Sequence, residues 1–244
     1  MKTAIVICSY NMPEYTDALV EHIHETVKLP YDLMVFDNGS DMVHPSKYTI
    51  YREETNIQMV PGFMKALRLL TDKNNYDFYW LMTTSCRFDP KDSRDPLEIL
   101  LPMLHEHDVY SVQPSLIIDY GAWKEYLAPR EPYVLRQVHS LECVCPLYRA
   151  DHFDSLGRWR EELTFGWGFA PEIHWKARKN GLKIYTHDGY VMYKDTEIGY
   201  HMGRMGMSAR KRRSLAGREA DKVLNQIYET DDWRAVLNHG LRWV

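Results

Sequence analysis

Apolar residues in this chain gather into short continuous runs separated by polar clusters. The first run, Ala4-Ile5-Val6-Ile7-Cys8, has no polar break, as expected for a strand covered on both faces of a sheet. It gives way to Asn11, a residue type suited to cap a helix, with Pro13 placed for a first helical turn. Tyr15, Ala18, Leu19, Ile23 and Val27 then recur at helical spacing. A second run over residues 32–36 breaks at Asp37-Asn38-Gly39-Ser40, a cluster of turn formers. Strand, helix and strand at this spacing predict a βαβ unit with parallel pairing and a right-handed crossover.

The same reading predicts a short strand at residues 49–52, a helix over 62–70 and a strand over 78–82. It continues with a strand over 109–118 that carries Pro114, a strand over 143–148, a helix over 171–180 stopped by Gly181, and a strand over 182–186. Residues 119–140, rich in Pro, Tyr and charge, read as an excursion over the surface. A helix over 210–228 and a last turn at 233–237 close the chain. No repeat or flexible linker interrupts it. The expected fold is α/β, a mixed, mostly parallel sheet flanked by helices, with residues 1–204 as the main domain and 205–244 as a basic C-terminal helical extension.

Composition narrows the function. The chain has 244 residues, 45% hydrophobic and 26% charged, as in an ordinary soluble globular protein with a sizeable core. A net charge of -4 gives no global reason to expect nucleic acid as a partner. No run approaches the ~18 apolar residues of a membrane span, and Met1 to Cys8 does not read as a signal peptide. The four cysteines, Cys8, Cys86, Cys143 and Cys145, include one Cys-x-Cys pair and no second pair to complete a zinc site. They read as buried free thiols in a reducing, cytoplasmic setting.

In an open parallel sheet, ligands bind beyond the carboxyl ends of the strands. That rule singles out Ser9-Tyr10-Asn11, Asp37-Asn38-Gly39-Ser40 and Thr83-Thr84-Ser85. No Gly-x-Gly-x-x-Gly follows the first strand and no Gly-Lys-Thr loop occurs, so dinucleotide and Walker-type binding are unsupported.

With these loops in view, the chain resembles the inverting glycosyltransferase family 2, which has the GT-A fold. The resemblance lies in "TAIVICSYNMPEYTDALVEHI" followed by "YDLMVFDNGSD", and in "CVCPLYRADHFDSLG", "FGWGFAPEIHWKARKNGLKIYTHDGYVMY" and "YHMG", in the family's order across residues 3–204. It implies transfer of a sugar from a nucleoside diphosphate sugar, with UDP favoured, to a saccharide or other hydroxyl acceptor. It gives Asp37 the nucleotide base, with capping of the Asn-Gly turn as the alternative. Cys8 and Tyr10 would line the base pocket, or Tyr10 would simply pack in the core. Asn56 and Lys65 would support the ribose and phosphates, or Lys65 would be a solvated helix residue. Trp167, between two glycines, would face the sugar.

Two departures from the family are visible. "YWLMTTSCRFDP" sits where the family carries an Asp-x-Asp motif that holds a divalent metal, but Ser85 replaces the carboxylate, leaving Thr84 and Ser85 to line the donor site. A hard dication prefers anionic oxygen, so Mn2+ or Mg2+ use is expected to be weak or unusual, with His201 as a candidate ligand. The usual base position is Ala170, and Glu172 is the nearest acid, at a helix N-terminus that favours its ionised form. The phosphate charge then falls to Arg204, Arg210 and Lys211 in an acid-free basic run that also suits contact with an anionic membrane surface. The rival reading is a nucleotide-sugar-binding protein without catalysis. A nucleotidyltransferase is disfavoured by the missing basic, Gly-rich first loop.

Overall fold

The structure is a computed structural model and describes residues 1–118, 128–132 and 134–238. Strand β1 (Thr3–Ser9) leads through α1 (Pro13–Thr26) to β2 (Tyr31–Asp37) and β3 (Tyr51–Arg52). Helix α2 (Met59–Thr71), β4 (Phe78–Thr83), β5 (Cys86–Phe88) and α3 (Pro96–Leu104) follow. Strands β6 (Val109–Ile118), β7 (Leu135–Gln137) and β8 (Leu147–Arg149) precede α4 (Ala150–Ser155), α5 (Phe169–Lys179) and β9 (Lys183–Lys194). Helices α6 (Ile198–His201), α7 (Ala209–Ile227) and α8 (Trp233–Asn238) complete the described chain.

The strands form one mixed sheet in the order β3-β2-β1-β4-β8-β6-β9-β5, with β7 added on β9. Pairing is parallel among β3, β2, β1 and β4 and between β6 and β9, and antiparallel at β8, β5 and β7. The uninterrupted apolar runs are the central strands: Ile5, Val6, Ile7, Trp80, Leu81 and Met82 are all fully buried. Each such side chain contributes about 1.5–3 kcal/mol by leaving water, so the register of these strands is strongly held.

Several sequence expectations need correction. Asn11 does not cap α1: it takes a left-handed φ of 56°, and Met12 is the capping position. Its side chain instead binds the 40–42 turn, accepting from Asp41 N at 3.0 Å and Met42 N at 3.1 Å. The strand expected over 143–148 is shortened to β8, because Cys143 has a φ of 54°, which breaks an extended chain. The strand expected to end at residue 186 runs on to Lys194. A bulge shifts its register from Pro114–His187 to Ser115–Val191, at the proline that cannot donate to the ladder. The buried Asp188 in that bulge is held by Ser115 and Arg136, which lets the strand pass through an Asp-Gly pair. Of the excursion expected over 119–140, residues 119–127 and 133 lie outside the described residues.

Candidate active site

A cavity of about 300 Å³ opens beyond the carboxyl ends of β1 and β4, where the strand-end rule puts a ligand. Its floor and walls come from Cys8 and Tyr10 after β1, Asn38 after β2, Asn56 and Gln58 before α2, and Thr83, Thr84 and Ser85 after β4. A second wall comes from Phe165, Trp167 and Arg212, and a third from Glu142, Lys194, Asp195 and Tyr200.

The first wall is tied together by amides. Asn38 donates to Asn56 Oδ1 at 3.2 Å and to the Gln58 carbonyl at 2.9 Å, and accepts from Ile57 N at 3.1 Å. That network depends on Gly39, whose φ is 72° and whose Cβ would lie 2.3 Å from the Thr55 carbonyl carbon. Burial pushes the Cys8 thiol up to about 12, with Asp37 adding to the effect, so Cys8 is a neutral wall residue. Tyr10 donates to Asp41 at 3.1 Å, and burial raises its phenol.

The second wall is a glycine-flanked aromatic. Trp167 is 43% exposed and faces the cavity. Gly168 next to it starts α5 with a φ of 83°, and a Cβ there would meet Leu224 of α7 at 2.7 Å. Helix α7 therefore sits directly on this loop. Glu219 binds Thr164 Oγ1 at 2.6 Å and Phe165 N at 3.0 Å, and Arg212 donates to the Phe165 carbonyl at 3.2 Å.

Six of the residues expected from sequence line the cavity together: Cys8, Tyr10, Asn56, Thr84, Ser85 and Trp167. The others stand elsewhere. Asp37 is fully buried; its carboxylate accepts from Ser40 N at 3.1 Å and from the Ser40 hydroxyl, and pairs with Arg52 at 3.3 Å. It caps the turn, and its neighbour Asn38 faces the cavity. Lys65 pairs with Glu53, lies over the Tyr51 ring at 5.2 Å and is not a lining residue. Arg204 pairs with Glu14 at 2.5 Å, and Arg210 and Lys211 are exposed on α7. His201 is half exposed, 3.4 Å from Glu197, and is not a lining residue.

Glu172 requires the largest correction. It is 1% exposed and turned away from the cavity, accepting from Arg160 Nη2 at 2.7 Å and Nε at 2.9 Å, with Lys176 at 3.3 Å and the Tyr228 hydroxyl at 3.3 Å. The helix turn that carries it packs inward, and a carboxylate there must be paired to stay charged. It ties α5 to the loop before it and to the end of α7.

Sequence reading missed Glu142, Lys194 and Asp195, and of the basic run it marked for the phosphates, Arg212 is the member that lines the cavity. Lys194 and Asp195 follow the alternating stretch Tyr190 to Tyr193 at the carboxyl end of a strand, a signal hidden by the Asp-Gly pair before it. Burial pulls the Lys194 ammonium down to about 8, against the opposing influence of Cys145, Cys86 and Cys143. Glu142 pairs with it at 3.1 Å. Asp195 is joined to the hydroxyl loop by donation from its N to the Ser85 carbonyl at 2.9 Å.

No protein-family model and no curated protein matches the chain by sequence. Solved structures match it by shape. A mannosyltransferase from Pyrobaculum calidifontis, in complex with GDP-Man and Mn2+, superposes with a TM-score of 0.64 at 14% identity over 98% of this chain and 70% of its own. GalNAc-T7 with UDP, GalNAc and Mn2+ gives 0.62 at 13% identity over 80% of this chain and 44% of its own. TarS from S. aureus gives 0.61 at 14% identity over 99% of this chain and 41% of its own. The chain thus has the GT-A fold, and it spans less than half the length of two of these neighbours. No helix among the described residues is long and apolar enough to cross a membrane.

Two of these neighbours were determined with Mn2+, so the donor set here bears directly on a metal. The cavity's carboxylates among the described residues are Glu142, paired with Lys194, and Asp195. The hydroxyls of Thr83 and Ser85 bind each other at 2.8 Å, and no group of three His, Cys, Asp or Glu among the described residues could hold an ion. A hard dication wants several anionic oxygens, and an ammonium in the same cavity repels it. The described residues do not fit a resident divalent metal.

Proposed function

We propose that the protein is a glycosyltransferase that moves a sugar from a nucleoside diphosphate sugar, with UDP favoured, to a hydroxyl acceptor with inversion. The observation that carries the reading is the cavity itself. In a sheet of GT-A topology it lies beyond the carboxyl ends of β1 and β4, lined by the amides of Asn38, Asn56 and Gln58, by Tyr10 and by the exposed Trp167. An aromatic face packs well against the C–H surface of a pyranose, and its edges leave hydroxyls to neighbouring polar groups.

Asp195 is the base in this scheme, since the other lining carboxylate, Glu142, is engaged by Lys194. The acceptor oxygen forms a bond to the anomeric carbon as the bond from that carbon to the diphosphate oxygen breaks. The bonding pair leaves with the diphosphate, and the acceptor proton passes to Asp195. Such a base contributes about 10²–10⁴-fold.

The test is release of nucleoside diphosphate from a panel of UDP-, GDP- and dTDP-sugars with mixed hydroxyl acceptors. Turnover that falls at least about 100-fold in Asp195→Asn, with donor binding retained, supports the reading. Binding of sugar nucleotides without any release identifies a binding protein instead. Failure of every sugar nucleotide to bind overturns the proposal.

A further inference from the structure

The hydroxyls of Thr83, Thr84 and Ser85 line the cavity past β1 and β4, where they could orient the oxygens of a diphosphate but not neutralise them. One rung away on the β5/β9 ladder, paired with Cys86, stands Lys194. It lines the cavity, is 15% exposed, and is held at 3.1 Å by Glu142. Another wall carries Arg212, whose guanidinium is steadied by the Phe165 carbonyl. Arg210, Lys211 and Arg212 crowd the first turn of α7, where the helix dipole disfavours cations and an anion relieves the conflict.

We infer that Lys194 is the cation that meets the donor's diphosphate and that, with Arg212, it takes the place of a divalent metal ion in this chain. The inference rests on the glycosyltransferase reading. The Lys194 ammonium and the Arg212 guanidinium bring two positive charges, of which the paired Glu142 carboxylate offsets one, and neither needs the carboxylates that the 83–85 loop lacks. Glu142 keeps the ammonium at the loop before the donor arrives. When the glycosidic bond breaks, the electron pair stays on the diphosphate oxygen, and Lys194 donates a hydrogen bond to the charge that forms there. No proton leaves the lysine.

Calorimetry with UDP, GDP, uridine and guanosine, on the wild-type protein and on Lys194→Met and Lys194→Arg, tests this. Diphosphate affinity is expected to be equal within about twofold in EDTA and in Mn2+. It should fall at least about tenfold in Lys194→Met while nucleoside affinity holds, and recover largely in Lys194→Arg. A rise of about tenfold or more with Mn2+ on the wild-type protein overturns the inference without need of any variant. So does full UDP and GDP affinity in Lys194→Met. Should Lys194→Met not fold, the metal titration and Lys194→Arg decide, the latter by keeping a stronger affinity for diphosphate than for nucleoside. If a nucleoside binds and the diphosphate adds nothing, this inference fails alone; if neither nucleosides nor nucleotides bind, the glycosyltransferase reading falls and takes it along.

Discussion

Glu172 offers the sharpest test of how the site is built, because its position at the start of α5 suggests a catalytic base while its contacts describe a buried tie. Its carboxylate holds Arg160, Lys176 and the Tyr228 hydroxyl, and the Arg160 partner is 22% exposed against 2% for the Glu172 side chain. Glu172→Ala takes the buried counter-charge from Lys176 and leaves Arg160 only the exposed Glu162 at 3.8 Å. Removing one partner of such a buried pair costs about 3–5 kcal/mol. At about 2–4 °C per kcal/mol for a chain of this size, Tm should drop by roughly 6–20 °C. Glu172→Gln keeps the shape and some hydrogen bonds, and should cost less than Glu172→Ala. Thermal melts followed by circular dichroism give the stability, and nucleotide release at 20 °C, scaled to folded protein, gives the turnover. Turnover of Glu172→Gln within a few-fold of wild type, with lowered Tm in both variants, is the expected result. An unchanged Tm with turnover reduced about 100-fold or more would refute this reasoning and restore Glu172 as the base.

Gly168→Ala strains a backbone at φ 83° and drives a Cβ into Leu224, so a loss of about 2–4 kcal/mol is expected by urea denaturation; a stability equal to wild type would show that α7 is not seated on the loop. Lys194 is held at about 8 by burial, below the ordinary lysine value, and only its charged form attracts a diphosphate. UDP affinity should therefore be full below pH 8 and decline as pH rises through it, by up to about tenfold per unit. Cys145, raised well above its ordinary value by burial, stays neutral in that window, and Lys194→Met should abolish the slope. A flat wild-type profile would remove Lys194 from phosphate binding.

The sequence determined a good deal by local pattern alone. Continuous apolar runs such as Ala4 to Cys8 and Phe78 to Met82 can be buried only as central strands, so the parallel half of the sheet and the loops at its carboxyl end were legible. The family resemblance, rather than the runs alone, marked Cys8, Tyr10, Asn56, Thr84 and Ser85, and the fold brings them to one cavity. Tertiary structure decided which charges face that cavity. Asp37 and Glu172 occupy positions that suggest chemistry, yet each is consumed by partners distant in the chain or across a turn, Arg52 for one and Arg160 and Tyr228 for the other. Lys194 carries no local mark of function, and nothing local separates Arg212 from the other cations of its basic run. They reach the cavity because β9 pairs with β5 beside the 83–85 loop and α7 packs on Gly168. A side chain's residue type and period are properties of its own segment, but its counter-ion and its degree of burial are set by whatever the fold packs against it.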